Sequence, residues 1–291
     1  MKKPQRSLPW LNAGDDFPPV GRAWGLNDPA PGLLAAGSAL DVATLLRAYG
    51  QGIFPWYSDG QPTLWWSPNP RMVLCTQQFK LHRSLRKTVQ HFSNNPACEV
   101  RFDTSFAAVI NACASKPRDG QPGTWILPEM IAAYCALHDA GHAHSVETWV
   151  GGELVGGLYC VNLGGMVFGE SMFAHATDAS KIALCALVAF CRAHGIEMID
   201  CQQNTGHLAS LGAQEIGREA FIEHISQATK QPAPAWQFDP VYWQKNWTPP
   251  TPRRTSKTCR CKPCSFTPRL RTRAAICRAS KPGAKSPRPA I

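Results

Sequence analysis

The sequence predicts an α+β fold in which a mixed sheet is flanked by helices. Residues 145–173 contain three strand-like segments that are separated by Gly-Gly turns. A helical segment follows at residues 179–194, and a short strand follows at residues 197–202. Three antiparallel strands, a helix and a further strand together indicate one sheet rather than a helical bundle.

The N-terminal part is more irregular. Residues 1–38 are rich in Pro and Gly and show no clear period. Residues 39–49 predict a short helix, because Leu45, Leu46 and Tyr49 lie on one face at helical spacing. Beyond it, the segments LWW and MVL are typical of strands around a Pro-rich corner.

Four more helices are predicted. Their expected positions are residues 79–92, 105–114, 128–141 and 218–227. The first is amphipathic, with an apolar face and a basic face. Asp103 is expected to cap the second, and Asp178 is expected to cap the helix at residues 179–194.

The charge of the chain is concentrated at its C-terminal end. The net charge is +10, but residues 245–291 carry 13 Lys and Arg and no acid. Residues 1–244 then hold 17 basic and 20 acidic residues, a net charge of −3. The basic character therefore does not identify the folded part as a nucleic-acid binder. Residues 231–291 are predicted to be a disordered tail rich in Pro and Arg.

The remaining bulk features predict a cytoplasmic protein. Eight cysteines are scattered at irregular spacing through the folding part, mostly in apolar segments, as free thiols are. No apolar segment of a secretory signal follows the first residues, and no run of 18 apolar residues could cross a membrane. We therefore expect no membrane partner.

Two acids occupy unusual positions. Glu170 and Asp200 lie inside apolar, strand-like segments, where an unpaired acid is costly. Strand alternation puts Phe168, Glu170 and Met172 on one face, and puts Gln202 on the same side as Asp200. A single such acid is as easily a structural group that satisfies backbone amides, but three polar groups together favour a functional site.

Other chemistry-bearing residues have simpler explanations. His138, His142 and His144 lack the spacing of metal ligands, and structural or solvent-exposed roles are favoured for them. Cys201 and His207 do not match a known nucleophile pair. Neither a metal nor a cofactor is predicted.

Several ordered blocks resemble the leucyl/phenylalanyl-tRNA–protein transferase family. They span roughly residues 32–213 and read GLLAAGSALDVATLLRAYGQGIFPW, LWWSPNPRMVL, GTWI, AYCALHDAGHAHSVETW, LVGGLYCV, GESMF, ASKIAL, and IDCQ with HLASLGA. Eight blocks in the same order are far more specific than any single motif.

This resemblance implies an acetyltransferase-like (GNAT-like) catalytic domain at residues 76–230, preceded by a smaller α/β domain at residues 1–75. It implies transfer of Leu or Phe, and less readily Met, from aminoacyl-tRNA to a protein that begins with Lys or Arg, which marks that protein for degradation. The aminoacyl ester is already activated, so the chemistry needs alignment more than strong acid or base catalysis.

The resemblance also assigns roles to residues. Asp200 and Gln202 are implied at the catalytic centre, with Glu170 holding the amine or the Lys/Arg end of the acceptor. Trp56 and Trp125 are implied to hold the terminal adenosine. The implied aminoacyl side-chain pocket comprises Leu158, Val167, Met172, Leu184, Leu187, Cys191 and Ile199. The implied contacts to the tRNA acceptor stem are Lys80, Arg83 and Lys87.

Two rival functions stay open. A CoA-dependent N-acyltransferase would have a similar fold, but the junction FAHATDASK lacks the glycines that hold a pyrophosphate at a helix start. A noncatalytic RNA-binding protein would depend on the basic tail.

Overall fold

The computed structural model describes residues 7–115 and 126–243. The α+β prediction is confirmed, since helices pack on both faces of a large mixed sheet. A small four-stranded sheet lies in the N-terminal part, in the order β1-β2-β4-β3. Its strands are β1 (Trp10–Leu11), β2 (Leu33–Gly37), β3 (Phe54–Pro55) and β4 (Leu64–Trp66).

The large sheet has seven strands in the order β11-β5-β10-β9-β8-β7-β6. They are β5 (Arg71–Cys75), β6 (Cys98–Phe102), β7 (Ala143–Val150), β8 (Glu153–Leu163), β9 (Met166–Ala174), β10 (Met198–Gln202) and β11 (Gln214–Ile216). Within this sheet, as far as residues 7–115 and 126–243 show it, only the β9–β10 pair is parallel. The helix between these two strands makes the crossover that a parallel pair requires.

Seven α-helices occur in the described ranges. They are α1 (Val42–Gly50), α2 (Arg83–Ser93), α3 (Phe106–Ala114), α4 (Pro128–Asp139), α5 (Ala179–Ala193), α6 (Gly206–Ser210) and α7 (Arg218–Ala228). Every predicted helix is present, with ends that differ by a few residues. None of the helices in the described part is long and apolar enough to cross a membrane.

The large sheet separates two apolar cores. One contains side chains from α1, α3, α4 and α7, including Leu45, Tyr134 and Phe221. The other contains nearly all of α5, together with Leu85 and Val89 of α2. We call these the α4 face and the α5 face of the sheet.

A bulge in β9 places its side chains on different faces of the sheet from those predicted. Opposite β8, Gly169 pairs with Cys160 and Ser171 pairs with Tyr159, so Glu170 is an extra residue without a partner. Phe168 consequently lies in the core of the α4 face, whereas Met172 packs on the α5 face. The prediction that these two residues share a face was wrong, because alternation restarts after the bulge.

Two predicted helix caps are also corrected. Asp103 has a positive φ of 57° and accepts hydrogen bonds from Ser145 N and His144 Nδ1, both at 2.7 Å. The start of α3 is instead satisfied by Glu147, which accepts from Ser105 N at 2.7 Å. Asp178 occupies the cap position of α5, but its side chain binds Lys181 rather than a helix amide.

The folded chain also differs from the predicted segments at two places. Strand β5 begins at Arg71 and lies in the large sheet, before the predicted boundary at residue 75. Beyond residue 230, Trp236 stacks on His144 with a centroid distance of 4.0 Å, and Phe238 packs against Phe102. The segment up to Trp243 is therefore part of the folded unit, and residues 244–291 of the predicted tail lie outside the described residues.

Candidate active site

Asp200 forms a buried ion pair with Arg71 of the neighbouring strand. Arg71 Nε and Nη2 donate to the two carboxylate oxygens at 2.8 and 2.6 Å, and the exposed fractions of the two side chains are 1% and 0%. The backbone N–H of Gln202 donates to Asp200 Oδ1 at 2.9 Å. The carboxylate is fully occupied and out of reach of a substrate, so it acts as a fixed support.

Glu170 is the second acid, and three side chains form hydrogen bonds with it. Tyr49 Oη donates to Glu170 Oε1 at 2.8 Å, Gln202 Nε2 donates to the same oxygen at 2.8 Å, and Tyr134 Oη donates to Oε2 at 3.3 Å. The two tyrosine hydroxyls also lie 2.5 Å apart. Because each hydroxyl has one proton, one tyrosine can donate to the other only when the Glu170 carboxyl is protonated and donates in its place. The predicted grouping of Glu170 with Gln202 is thus present in the structure.

Burial has the largest effect on the pKa values of Glu170, Tyr49 and Tyr134. It raises the pKa of Glu170 to about 8, and the charge of Asp200 adds to the shift, although the hydrogen bond from Tyr49 opposes it. Burial also raises the pKa of Tyr49 and of Tyr134 well above the ordinary value, so both tyrosines remain hydroxyl donors. Glu170 is therefore a carboxyl group that titrates close to physiological pH.

Gln202 is held at the end of β10 in an unusual backbone conformation. Its φ is +61°, and the pairing of β10 with β5 shifts between Asp200 and Gln202. The Asp200 carboxylate fixes its backbone, and the Glu170 carboxylate fixes its side-chain amide. With Nε2 committed to Glu170, the amide oxygen has no hydrogen-bond partner in the described part of the chain and can accept one from a ligand.

A cleft of about 420 Å³ opens beside Gln202. Trp56 and Trp66 form one wall, with ring centroids 5.4 Å apart in an edge-on arrangement, and Trp66 Nε1 donates to the Trp56 carbonyl at 2.6 Å. Trp56 is partly exposed and lines the cleft, so its side chain is available to a ligand. Gln203, Asn204 and Glu215 complete the polar side of the cleft.

The predicted apolar pocket lies on the α5 face. Its members belong to one apolar cluster, and all but Met172 are buried. Asp200 pairs with Phe168 of the α4 face, whereas Ile199 pairs with Val167 of the α5 face. The pocket residues and the two acids therefore occupy opposite faces of the sheet, a separation that the sequence did not predict.

Strands β9 and β10 separate beyond Phe168 and Asp200. The ladder between them contains only two residue pairs and ends at Phe168 and Asp200, while β9 continues to Ala174. The side of β9 toward β10 consequently has no strand partner from Gly169 onward in the described part. Met172, partly buried, lies on this stretch.

The predicted contacts to the tRNA acceptor stem lie on the surface. Lys80, Arg83 and Lys87 are exposed on and just before α2, whose apolar side packs on the α5 face. Trp125 lies outside the described residues.

His138, His144 and the Cys201 thiol make contacts of a structural kind. His138 Nδ1 contacts the Ala143 carbonyl at 2.7 Å, and its ring stacks on Phe106 at a centroid distance of 4.4 Å. Burial raises the pKa of the Cys201 thiol, which makes it a poor nucleophile. In residues 7–115 and 126–243, no group of three or more His, Cys, Asp and Glu side chains is placed to hold a metal ion.

Sequence reasoning missed three members of this site. Arg71 had a usable signal, since a cation at the start of the apolar segment RMVL calls for a buried partner. Tyr49 was expected only as a core residue of a helix, and the partnership with Tyr134 depends on long-range packing.

Comparison with known proteins decides the family. A family model described as leucyl/phenylalanyl-tRNA protein transferase matches residues 73–226, and the model of its N-terminal domain matches residues 38–69. The chain belongs to the leucyl/phenylalanyl-tRNA protein transferase family. Of the site residues, Tyr134, Glu170, Asp200 and Gln202 lie within the first matched range, whereas Tyr49, Trp56 and Trp66 lie within the second and Arg71 lies between the two.

Individual members of this family are closely similar over nearly their whole length. The leucyl/phenylalanyl-tRNA–protein transferase of Polaromonas sp. is 67% identical over 252 residues, which cover 87% of this chain and 99% of that protein. The relative from Albidiferax ferrireducens is 62% identical over 242 residues, which cover 83% of this chain and 95% of that protein. A solved structure of FemX matches with a TM-score of 0.38 and 11% identity, over 63% of this chain and 71% of that chain.

Proposed function

We propose that this protein transfers leucine or phenylalanine, and less readily methionine, from aminoacyl-tRNA to the N-terminal Lys or Arg of a protein, which marks that protein for degradation. Family membership supports the reaction class. The observation that carries the mechanism is the hydrogen bond from Gln202 Nε2 to Glu170, which leaves the amide oxygen of this cleft-lining residue without a hydrogen-bond partner in the described part of the chain.

The reaction joins two substrates that are already reactive. The aminoacyl ester is activated, and an α-amine with a pKa of about 7.7–8.0 is partly neutral near neutral pH. The amine nitrogen bonds to the ester carbonyl carbon, the bond from that carbon to the ribose oxygen breaks, and the proton lost by the amine ends on the released ribose oxygen. The protein has to align the two groups more than it has to move protons.

Gln202 is the aligning group in this proposal. Its amide oxygen accepts a hydrogen bond from the attacking amine, and Glu170 keeps the amide from rotating. Asp200 is a positioning residue, because Arg71 and the Gln202 backbone occupy its oxygens. Asp200 is therefore not proposed to accept a proton from the amine.

The donor would occupy the cleft and the gap between β9 and β10. We infer that the terminal adenosine stacks on Trp56 and on Trp125, and that the acceptor stem meets Lys80, Arg83 and Lys87. The leucine or phenylalanine side chain would pass Met172 into the apolar cluster of the α5 face. That cluster offers only apolar and soft groups, which suits these amino acids and excludes charged ones.

The domain organisation follows from the same account. We infer an acetyltransferase-like catalytic unit, because α5 crosses between two parallel strands that part at the site. A smaller N-terminal unit precedes it, and the boundary is placed between Trp66 and Arg71 instead of at residue 75. Because the donor is a substrate of translation, we place the reaction in the cytoplasm, and we propose that it needs neither a metal nor a cofactor.

The test is transfer of radiolabelled leucine from charged tRNA to a protein that begins with Arg. The full chain and a chain that lacks residues 248–291 are both expected to transfer leucine, whereas acetyl-CoA is not expected to serve as donor. Loss of all transfer in the full chain would contradict the proposal. Absence of transfer by the full chain, together with RNA binding that is lost on removal of residues 248–291, would favour the noncatalytic RNA-binding alternative.

A further inference from the structure

The cleft contains a carboxylate that has no part in the mechanism above. Glu215 lies on β11, is exposed, and lines the same cleft as Trp56 and Gln202. Its carboxylate accepts a hydrogen bond from Asn204 Nδ2 at 3.0 Å, and it makes no ion pair with any residue that the structure describes. An anion that is oriented but not neutralised inside a substrate cleft is suited to bind a cation.

The register of the sheet places Glu215 beside the aligning amide. Gln202 of β10 and Glu215 of β11 both pair with Met72 of β5, from opposite sides of that strand. Their backbones are therefore level and about 10 Å apart, since two strand spacings of about 4.8 Å separate them. Both side chains reach into the cleft, which shortens the gap between their polar ends.

The other acids near the cleft are already committed. Asp200 is fully buried and occupied by Arg71. Glu170 is partly buried and accepts hydrogen bonds from two tyrosines and Gln202. Neither acid offers a free oxygen to the side-chain cation of an acceptor. Glu170, which the family resemblance places at the Lys/Arg end of the acceptor, is therefore not proposed to bind that cation.

We propose that Glu215 binds the side-chain cation of the first residue of the acceptor protein while Gln202 holds its α-amine. This inference rests on the proposed function. A lysine carries its ammonium on a four-carbon stem, and arginine presents a planar fork that fits a carboxylate with two hydrogen bonds. An acceptor with a neutral first side chain gains nothing at Glu215, so the residue selects Lys and Arg.

The experiment compares two acceptor peptides that differ only in charge at the first side chain. One begins with arginine, and the other begins with citrulline, its neutral analogue. In the wild-type chain the arginine peptide is expected to have the higher kcat/KM. Glu215→Gln is expected to raise the KM of the arginine peptide by roughly tenfold to hundredfold, because a charge-assisted hydrogen bond is lost.

Further readouts separate recognition from a general defect. In Glu215→Gln, kcat for the arginine peptide and the KM for leucyl-tRNA are expected to stay within about twofold of wild type, and discrimination against citrulline is expected to vanish. Glu215→Asp, which keeps the charge, is expected to retain most of the discrimination. Glu223→Gln, an exposed acid on α7 outside the cleft, is the matched control and is expected to behave as wild type.

The outcomes distinguish this inference from the proposed function. Absence of leucine transfer by the wild-type chain would refute the proposed function itself. Transfer by the wild-type chain with full discrimination retained in Glu215→Gln, or with no wild-type discrimination between arginine and citrulline, would overturn the role of Glu215 alone.

Discussion

The guanidinium of Arg71 donates two hydrogen bonds to the carboxylate of Asp200, and both side chains are buried. The same guanidinium lies between the rings of Phe54 and Phe221, at 4.8 and 4.6 Å from their centroids, and donates to the Gly52 carbonyl. One cation thus links the N-terminal part, α7 and the end of β10. Through Asp200, this linkage fixes the backbone of Gln202.

Breaking this pair on one side should be strongly destabilising. Arg71→Met leaves a buried carboxylate without its counter-charge, so we expect the free energy of unfolding to fall by about 3–5 kcal/mol. Urea denaturation with an unchanged m value measures this loss.

The double replacement Arg71→Met with Asp200→Leu removes both charges and should recover much of that stability, although transfer activity stays low. Lys181→Met breaks the more exposed pair with Asp178 and should cost less than about 1 kcal/mol. An equally small loss in Arg71→Met would show that the buried pair does not support the site.

Glu170 should make the stability of the protein depend on pH. Its pKa is raised to about 8 in the folded protein from an ordinary value of 4.5, so between these values the folded chain binds the proton that the unfolded chain has released. This contribution is fully present below pH 4.5 and is lost as the pH rises through 8. In Glu170→Gln this titration is absent.

We therefore expect the stability of Glu170→Gln relative to wild type to increase between about pH 5 and pH 8, by on the order of a few kcal/mol, and then to level off. Denaturation curves of both proteins across that range measure the difference, in which the other titrating groups cancel. A difference that stays constant with pH would show that Glu170 is ionised throughout.

Most helices and strands could be predicted from the sequence, because the patterns that indicate them are local. Gly-Gly turns marked the β7–β8–β9 hairpins, and apolar periodicity located α2 and α5 to within a few residues. Strand β6 and the short β11 have no comparable local pattern, and they are stabilised by pairing with distant strands. Their positions depend on contacts that a single sequence does not display.

The site could be predicted only in part, because several of its residues are brought together by long-range contacts. The cost of an acid in an apolar strand identified Glu170 and Asp200 without any structure. The bulge at Glu170 and the positive φ of Gln202 depend on strand register, so the facing of Met172 was mispredicted. Tyr134 and Glu215 come to the site from distant segments, which no spacing rule connects.

Trp56 should contribute to donor binding. Its side chain is partly exposed in the cleft, and the hydrogen bond to Trp66 uses only its backbone carbonyl. Trp56→Ala is expected to raise the KM for leucyl-tRNA or for an aminoacyl-adenosine by roughly tenfold, since stacking contributes about 1–3 kcal/mol per base. Trp10→Ala, at a tryptophan that is 64% exposed, is the control. An unchanged KM for both donors in Trp56→Ala would remove this residue from the donor site.

The basic side of α2 should set part of the salt dependence of tRNA binding. Replacing Lys80, Arg83 and Lys87 together with Ala is expected to weaken tRNA binding at low salt and to flatten the plot of log affinity against log salt concentration, because fewer counterions are released. Filter binding across a salt series gives both quantities, with Lys230→Ala as the control. Retention of the wild-type slope by the triple variant would exclude contact between α2 and the tRNA phosphates.

The most direct test of the account is the single-turnover rate of labelled leucine transfer from saturating leucyl-tRNA to an Arg-started peptide in Gln202→Ala. Truncation removes the amide oxygen that aligns the amine, and we expect the rate to fall by at least about 100-fold while the thermal midpoint changes little. Gln227→Ala, at an exposed position of α7, should transfer at the wild-type rate. A wild-type transfer rate in Gln202→Ala would contradict the proposal that the Glu170–Gln202 pair positions the attacking amine.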